Sequence, residues 1–370
     1  MYFKHARVAV LLLFSILMSA MLATATRADI TLTDITGRNV TLPQPAQRIV
    51  LGDGRHIMVL GLLTDDPAKL VVGWRQAKAL DPARLQALSA KFPELDNVAS
   101  VGAGNRQLSI EKTIALQPDL VILSLIDAQD PQMKVPLAQL NDAGIPVLFL
   151  DFFSHPIENS APSLKILGQA IGASDRAATF NAFYTQHLQV IRDRIAKADP
   201  ARPSVFVQVH AAPDSCCATV GQGVFHDFIT EAGGHNLGDD LVPGVMGTVG
   251  LETLIAADPD WFVATGGLHM AARGGLVIGA GVDQRTVDQS FAAVLSAPGI
   301  SDLRAVQDHQ ALAIWHLFND SPMHIVLIEY LAKAFHPDLF SDLDPAATMT
   351  EFQTRFSPIQ FDGVFWSRPQ

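Results

Sequence analysis

Short, almost wholly apolar runs recur along this chain, and each stops at a cluster of polar and aromatic residues. Arg48-Ile49-Val50-Leu51 stops at Gly52-Asp53-Gly54-Arg55-His56, and Leu70-Val71-Val72-Gly73 at Trp74-Arg75-Gln76. Leu120 to Leu125 stops at Ile126-Asp127, and Val147 to Leu150 at Asp151-Phe152-Phe153-Ser154-His155. Runs of this length, separated by helical patterns such as Ile57 to Leu63, predict a buried parallel α/β sheet. Before them, Ile30 to Asp34 and Gly37 to Leu42 alternate around a turn and predict a hairpin. Asn159 to Lys197 has helical spacing broken at Gly172-Ala173-Ser174-Asp175, with Ser174 or Asp175 as the cap of the second helix. That helix carries the stripe Ala177, Phe180, Phe183, Tyr184, Leu188, Ile191 and Ile195. The strand–helix pattern then restarts. Ser204 to Val209 ends at His210, the helix Phe225 to Glu231 at Gly233-Gly234, and Ala311 to Ile314 at Trp315-His316-Leu317-Phe318. Helices are expected at Pro322 to Phe335 and Asp344 to Phe356.

Two distant stretches are copies of one pattern. Ser109 to Asp119, ending in Pro118-Asp119, leads into Leu120-Val121-Ile122-Leu123; Gly250 to Asp260, ending in Pro259-Asp260, leads into Trp261-Phe262-Val263-Ala264. Glu111 and Glu252 hold the same place in each, 141 residues apart. A repeat at domain-sized spacing predicts two similar lobes. The fold expected is α/β, with central, mostly parallel sheets flanked by helices and one long bridging helix. The divisions are a leader at 1–28, a lobe at 29–172, the bridging helix at 173–198 and a second lobe at 199–370.

The leader reads as a secretory signal. Lys4 and Arg7 precede the apolar segment Val8 to Leu22, and small residues place cleavage after Ala28 or Ala25. The segment is short for an uncleaved anchor. Its removal takes the net charge from -11 to -14, through loss of Lys4, Arg7 and Arg27. So acidic a chain is a poor partner for nucleic acid or an anionic membrane. Cys216 and Cys217 are the two cysteines, so no lipid-attachment cysteine follows the leader, and a free periplasmic monomer is expected. In an oxidising compartment this pair can close as a vicinal disulfide. Adjacent Cα atoms across a trans peptide lie about 3.8 Å apart, less than disulfides usually span, so closure needs a distorted or cis peptide.

Taken together, the Arg48-Ile49-Val50 strand after a hairpin, the paired Glu…Pro-Asp units and the lone bridging helix resemble a known family. They are similar to the periplasmic substrate-binding proteins of ABC importers for ferric siderophores, haem and cobalamin. The run Ser321-Pro322-Met323, the segment Ala332 to Phe340, Asp362 to Trp366, and Cys216-Cys217 followed by Gly221 and Gly233-Gly234-His235-Asn236 resemble its siderophore branch. The resemblance implies a ferric siderophore as cargo, its iron carried within the ligand and no cofactor of the protein's own. Haem, cobalamin or a bare metal ion is the alternative. It also implies a permease dimer as partner, met by Glu111 and Glu252; without a docking role, each acid simply suits the first turn of its helix.

Candidate ligand contacts sit at the strand ends, where open α/β sheets bind ligands. Arg55 reads as a planar fork for a carboxylate or catecholate oxygen, with Gly52 and Gly54 leaving room, or as a solvated surface arginine. His56 supports it or joins it. Trp74 and Arg75 suit a flat anionic chelate, or are a core aromatic beside a surface charge. His155, His210, His269 and His316 each follow a strand. They lack the close spacing of a metal motif, so chelate contact or structural hydrogen bonding is expected and direct metal ligation is not. Arg273 lies in a glycine-rich loop that could close over cargo; Trp315 and Phe318 are aromatic walls or core. Placed together, the arginines suggest an anionic chelate. An exported hydrolase or thiol oxidoreductase is the rival class, but no Gly-x-Ser-x-Gly elbow is present and Cys-Cys is not Cys-x-x-Cys. No enzyme activity is expected.

Overall fold

The computed structural model describes residues 29–75, 80–103 and 107–369; the leader lies outside the described residues. The first lobe is built on a parallel sheet in the order Ala99–Ser100, Val71–Trp74, Ile49–Leu51, Leu120–Ser124 and Val147–Leu150. The second has His235–Asn236, Ser204–Gln208, Trp261–Gly266 and Ala311–Trp315 in parallel, with Trp366–Ser367 antiparallel at the edge. Ile49–Leu51, Val147–Leu150, Trp261–Gly266 and Ala311–Trp315 are buried at every position. Layers cover both faces of each sheet, so these strands read as continuous apolar runs rather than alternating ones. The hairpin forms as Ile30–Thr33 against Asn39–Leu42.

The sequence repeat is a structural one. Helices Ile110–Ala115 and Leu251–Ala257 precede the paired strands, and the chain turns through left-handed residues at matching places, Gln117 (φ 47°) and Asp258 (φ 41°). The aspartate of each Pro-Asp then staples its strand to a neighbour. Asp119 accepts from the backbone N–H groups of Gln47 at 2.8 Å and Arg48 at 2.9 Å, just before Ile49–Leu51. Asp260 accepts from the N–H of Ser204 at 2.8 Å and from its hydroxyl at 2.9 Å.

The bridging helix is Ser174–Ala198, 25 residues long, and follows helix Pro156–Ile171 through a left-handed turn at Gly172. Neither Ser174 nor Asp175 caps it, because the helix already begins at Ser174 and Ala173 takes the cap position. The bridge is not the sole connection. Phe180 on it meets Phe352 and Phe356 edge-on at 5.8 and 5.0 Å, drawing the C-terminal helix Pro345–Arg355 onto the bridge. Beyond that helix, Pro358 presses on Gly61 of helix His56–Leu63, where a Cβ would lie 2.3 Å from its ring, and its carbonyl accepts from Lys91 Nζ at 2.5 Å. Arg84 on helix Pro82–Lys91 reaches Asp320 of the second lobe, and both side chains are fully buried. These ties set the two rows of strand ends face to face.

Candidate functional site

The first-lobe wall of the cleft encloses a cavity of about 360 Å³ at the ends of the strands carrying Asp53, Arg55, Arg75 and Asp127, with Asp320 contributed by the second lobe. The Gly52-Asp53-Gly54 turn brings Asp53 back under Arg55. Their contacts are forked, with Arg55 Nη2 to Asp53 Oδ2 at 2.6 Å and Nε to both oxygens at 3.1 Å. The guanidinium also lies 5.3 Å over the Phe153 ring. Burial alone would raise the Asp53 carboxyl, but the Arg55 guanidinium overrides it and holds the group well below the usual carboxylate range. Gly52 makes room for protein rather than ligand, since a Cβ there would lie 2.3 Å from Leu123 Cδ2. Arg75 is buried, donates to the Gly52 carbonyl, and pairs with Asp127 at 2.6 Å. Asp127 in turn accepts from the Ser124 N–H and hydroxyl at 3.0 and 2.8 Å, which locks it in place. His56 also lines this cavity; burial keeps its imidazole neutral, and its Nδ1 has no hydrogen-bond partner.

The arginines therefore do not form a bare positive patch. Arg55 faces Asp53, Arg75 faces Asp127, and Arg84, missed in the sequence, faces Asp320. This takes away the ground for choosing an anionic chelate on arginine count alone. The signals were present as Asp53 two residues before Arg55 and Asp127 after its strand, but only the fold brings Asp320 to Arg84.

Away from Asp320 and Arg273, the second-lobe wall is apolar and carries imidazoles. A smaller cavity of about 100 Å³ is lined by Val220, Val224, Phe225, Met246, His210 and His316, and Phe153 lines both cavities, so the two adjoin. Phe153 was also missed. Its loop is shaped by Asp151, which accepts from the N–H groups of Phe153, Ser154 and His155 at 3.0, 2.7 and 3.0 Å and from Asn159 Nδ2 at 2.8 Å. Three of the four strand-end histidines come together. His210 Nδ1 is 2.9 Å from His269 Nε2, and the His210 and His316 rings are 4.0 Å apart. Burial, then the neighbouring His269 and Arg273, pushes His210 down to about 4, and burial with His210 and His269 holds His316 well below the usual imidazole range. All are neutral imidazoles near pH 7. His155 stays apart, exposed at the start of helix Pro156–Ile171. Arg273 is exposed at the end of the turn Leu268–Arg273, close enough to disfavour protonation of His210 and His269.

Three aromatic candidates go to the core instead. Trp74 is 6 % exposed, and Trp315 and Phe318 are fully buried. Trp315 lies 4.6 Å beneath the Arg84 guanidinium and packs on Phe318 and Phe365. A strand covered on both faces buries its last residue as readily as its middle ones. Cys216 and Cys217 are joined by a disulfide across a cis peptide bond, in the loop following His210. Glu111 and Glu252 are both exposed in the first turn of their helices.

A family model for periplasmic binding proteins matches residues 63–314. The chain belongs to that family. Binding proteins of this family are transport components that work with ABC transporter permeases, not enzymes. Among curated relatives, an uncharacterised ABC transporter substrate-binding lipoprotein of Bacillus subtilis, YvrC, is 27% identical over 257 residues, covering 67% of this chain and 71% of the relative. The vitamin B12-binding protein of Yersinia pestis is 29% identical over 188 residues, 50% of this chain and 62% of its own length. Among solved structures, the TroA-like periplasmic binding protein FepB from Veillonella parvula matches with a TM-score of 0.82 and 27% identity, over 92% of this chain and 100% of its own. A periplasmic haem-binding protein from Pseudomonas aeruginosa shares the fold, with a TM-score of 0.56 and 21% identity over 88% of this chain and 98% of its own. No helix among the described residues is long and apolar enough to cross a membrane.

Proposed function

We propose that this periplasmic binding protein captures a ferric siderophore between its lobes and delivers it to an ABC importer. The observation that carries the reading is the composite cleft. One wall presents the forked Arg55–Asp53 pair and the paired Arg75, the other presents neutral imidazoles and apolar side chains, and Phe153 joins them. Such a surface suits a metal chelate with polar donor atoms on one side and an organic scaffold on the other. The FepB likeness over nearly the whole chain supports the reading of a two-lobed periplasmic binding protein. The likeness to a vitamin B12-binding protein makes cobalamin the second reading. On this reading the leader at 1–28 exports the chain, which acts in the periplasm as a monomer. Glu111 and Glu252, one per lobe, meet basic residues of the permease dimer.

The test is native mass spectrometry of the protein against catecholate, hydroxamate and carboxylate ferric chelates, haem, cobalamin and free metal ions. A ferric chelate should bind most tightly. Tightest binding of cobalamin or haem would reassign the cargo. For docking, Glu111→Ala with Glu252→Ala should abolish uptake while leaving cargo affinity intact; normal uptake would refute it.

A further inference from the structure

We propose that the small apolar cavity of the second lobe is a specificity pocket for a compact apolar arm of the cargo, an aryl or branched alkyl group of about four to six carbons joined through an amide. The inference rests on the chelate-binding function proposed above and adds that the favoured chelate carries such an arm.

Four observations converge on it. The cavity holds about 100 Å³, walled by Val209, Val220, Val224, Phe225 and Phe153. An apolar cavity of about 150 Å³ admits a benzene ring, so this one, which adjoins the larger cavity at Phe153, suits a small ring or a branched chain. Its rim carries Val245 and Met246, adjacent in sequence and 57% and 59% exposed. Exposed apolar side chains that gather at a cavity mouth mark a binding surface, whereas scattered ones mark nothing. The rim is also built in place. Val220 pairs with Met246 in the sheet of Ala218–Val220 against Met246–Thr248, and the Gly221 N–H donates to the Val245 carbonyl at 3.1 Å. The turn comes so close that a Cβ on Gly221 would lie 2.1 Å from the Gly244 carbonyl oxygen. Lastly, Asn319 lines the pocket at 4% exposure; its Nδ2 is 3.2 Å from His316 Nε2, while its Oδ1 has no partner among the described residues. A buried acceptor left unpaired is costly, and an N–H on the arm would satisfy it.

The two cavities divide the cargo between them. The larger one presents the forked Arg55 and the unpartnered His56 Nδ1, and suits the polar donor atoms around the metal. The smaller one offers water few partners, whereas an apolar group gains contact with every wall. A cargo polar throughout would leave the pocket and Asn319 unfilled. Each methylene buried there should tighten binding about four-fold, but only until the pocket is full. A long unbranched chain therefore gains no more than a compact group.

The experiment uses the mature protein and one linear ferric tris-hydroxamate whose terminal amine is acetylated, isovalerylated, benzoylated or dodecanoylated. Isothermal titration should give about ten- to a hundred-fold tighter binding of the isovaleryl and benzoyl compounds than of the acetyl one, with no further gain for dodecanoyl. The gain should vanish in Val245→Ser with Met246→Ser, both at exposed positions, and in Val224→Phe, which fills the pocket from within, while the acetyl compound binds all three proteins alike. Melting temperatures near that of the wild type establish that the variants fold. The arm alone gives a readout that needs no chelate. N-methylbenzamide should shift the carbon-13 methyl resonance of Met246, assigned by Met246→Leu, and N,N-dimethylbenzamide, which lacks the N–H for Asn319, should do so more weakly. Equal affinity for the acetyl and benzoyl compounds overturns the pocket, as does a gain that survives both variants, or a Met246 resonance that N-methylbenzamide leaves unmoved. Slowed uptake by the serine variant with an undiminished benzoyl gain would make the rim a docking surface and overturn it as well. If the four compounds bind equally, only the pocket fails. If no ferric chelate binds, the cargo assignment fails, and the Met246 resonance still decides the pocket.

Discussion

Arg84 and Asp320 join the two lobes through a fully buried ion pair. Removing one partner of a fully buried ion pair leaves a stranded charge, and Asp320→Ala should cost about 3–5 kcal/mol in urea unfolding. Replacing both by apolar residues should restore most of that loss. A single-substitution cost under about 1 kcal/mol, the range of exposed pairs, would mean that the pair is solvated. His324 makes the second residue-scale prediction. It is buried against Phe228 at 4.8 Å, with Nε2 2.8 Å from the Tyr184 hydroxyl, and burial pushes it down to about 3. An unfolded histidine takes up its proton near pH 6.5, which the folded one refuses. Stability is therefore complete above about pH 6.5 and is lost as pH falls toward 3, by about 1.4 kcal/mol per unit. Unfolding at pH 7.5 and 5 should differ by about 2 kcal/mol from this group alone, and His324→Gln should flatten the slope. An unchanged slope would assign the pH dependence elsewhere.

Elements were largely legible in the sequence, and the repeat shows why. The strands are short apolar runs because both faces are covered, and each Pro-Asp recurs because its carboxylate staples two strands. Asp119→Ala and Asp260→Ala should each cost about 1–3 kcal/mol by leaving backbone N–H groups without their acceptor. Markedly unequal losses in the two lobes would contradict equivalent roles. The same repeat would extend the proposed docking face. Ile114 and Ile255, also 141 residues apart, are 36% and 45% exposed, one helical turn beyond Glu111 and Glu252. Ile114→Ser with Ile255→Ser should speed dissociation from the permease while cargo affinity holds. The glutamate substitutions should mainly slow association. Stopped-flow docking kinetics separate the two, and unaltered dissociation in the isoleucine pair would remove them from the interface.

The whole molecule is a braced pair of lobes rather than a loose clamshell. The 25-residue bridge spans about 37 Å, and the Arg84–Asp320 pair, Pro358 on Gly61 and Phe180 against Phe352 and Phe356 tie the lobes across it. Cargo binding should move the lobes little. Spin labels at exposed Lys134 and Asp302, placed selectively because Cys216 and Cys217 are already joined, should change separation by less than about 2 Å on loading, the scale of pre-organised binding. A change several times larger would mean that these ties open.

Strand positions, the two-lobed plan, the duplicated Glu…Pro-Asp unit and the bridge followed from the chain alone, because periodicity and turn residues are local properties. So did the gathering of polar residues at strand ends, which the direction of a parallel sheet imposes. Pairing across distance did not follow. Nothing near Arg84 in sequence announces Asp320, 236 residues away, and nothing in His210 or His269 announces that their ring nitrogens lie 2.9 Å apart. Nor does a strand-end tryptophan reveal whether it will be buried, as happened to Trp74 and Trp315. Those outcomes depend on how layers pack and lobes face, so the tertiary structure alone decided which strand-end residues line the cleft and which became core.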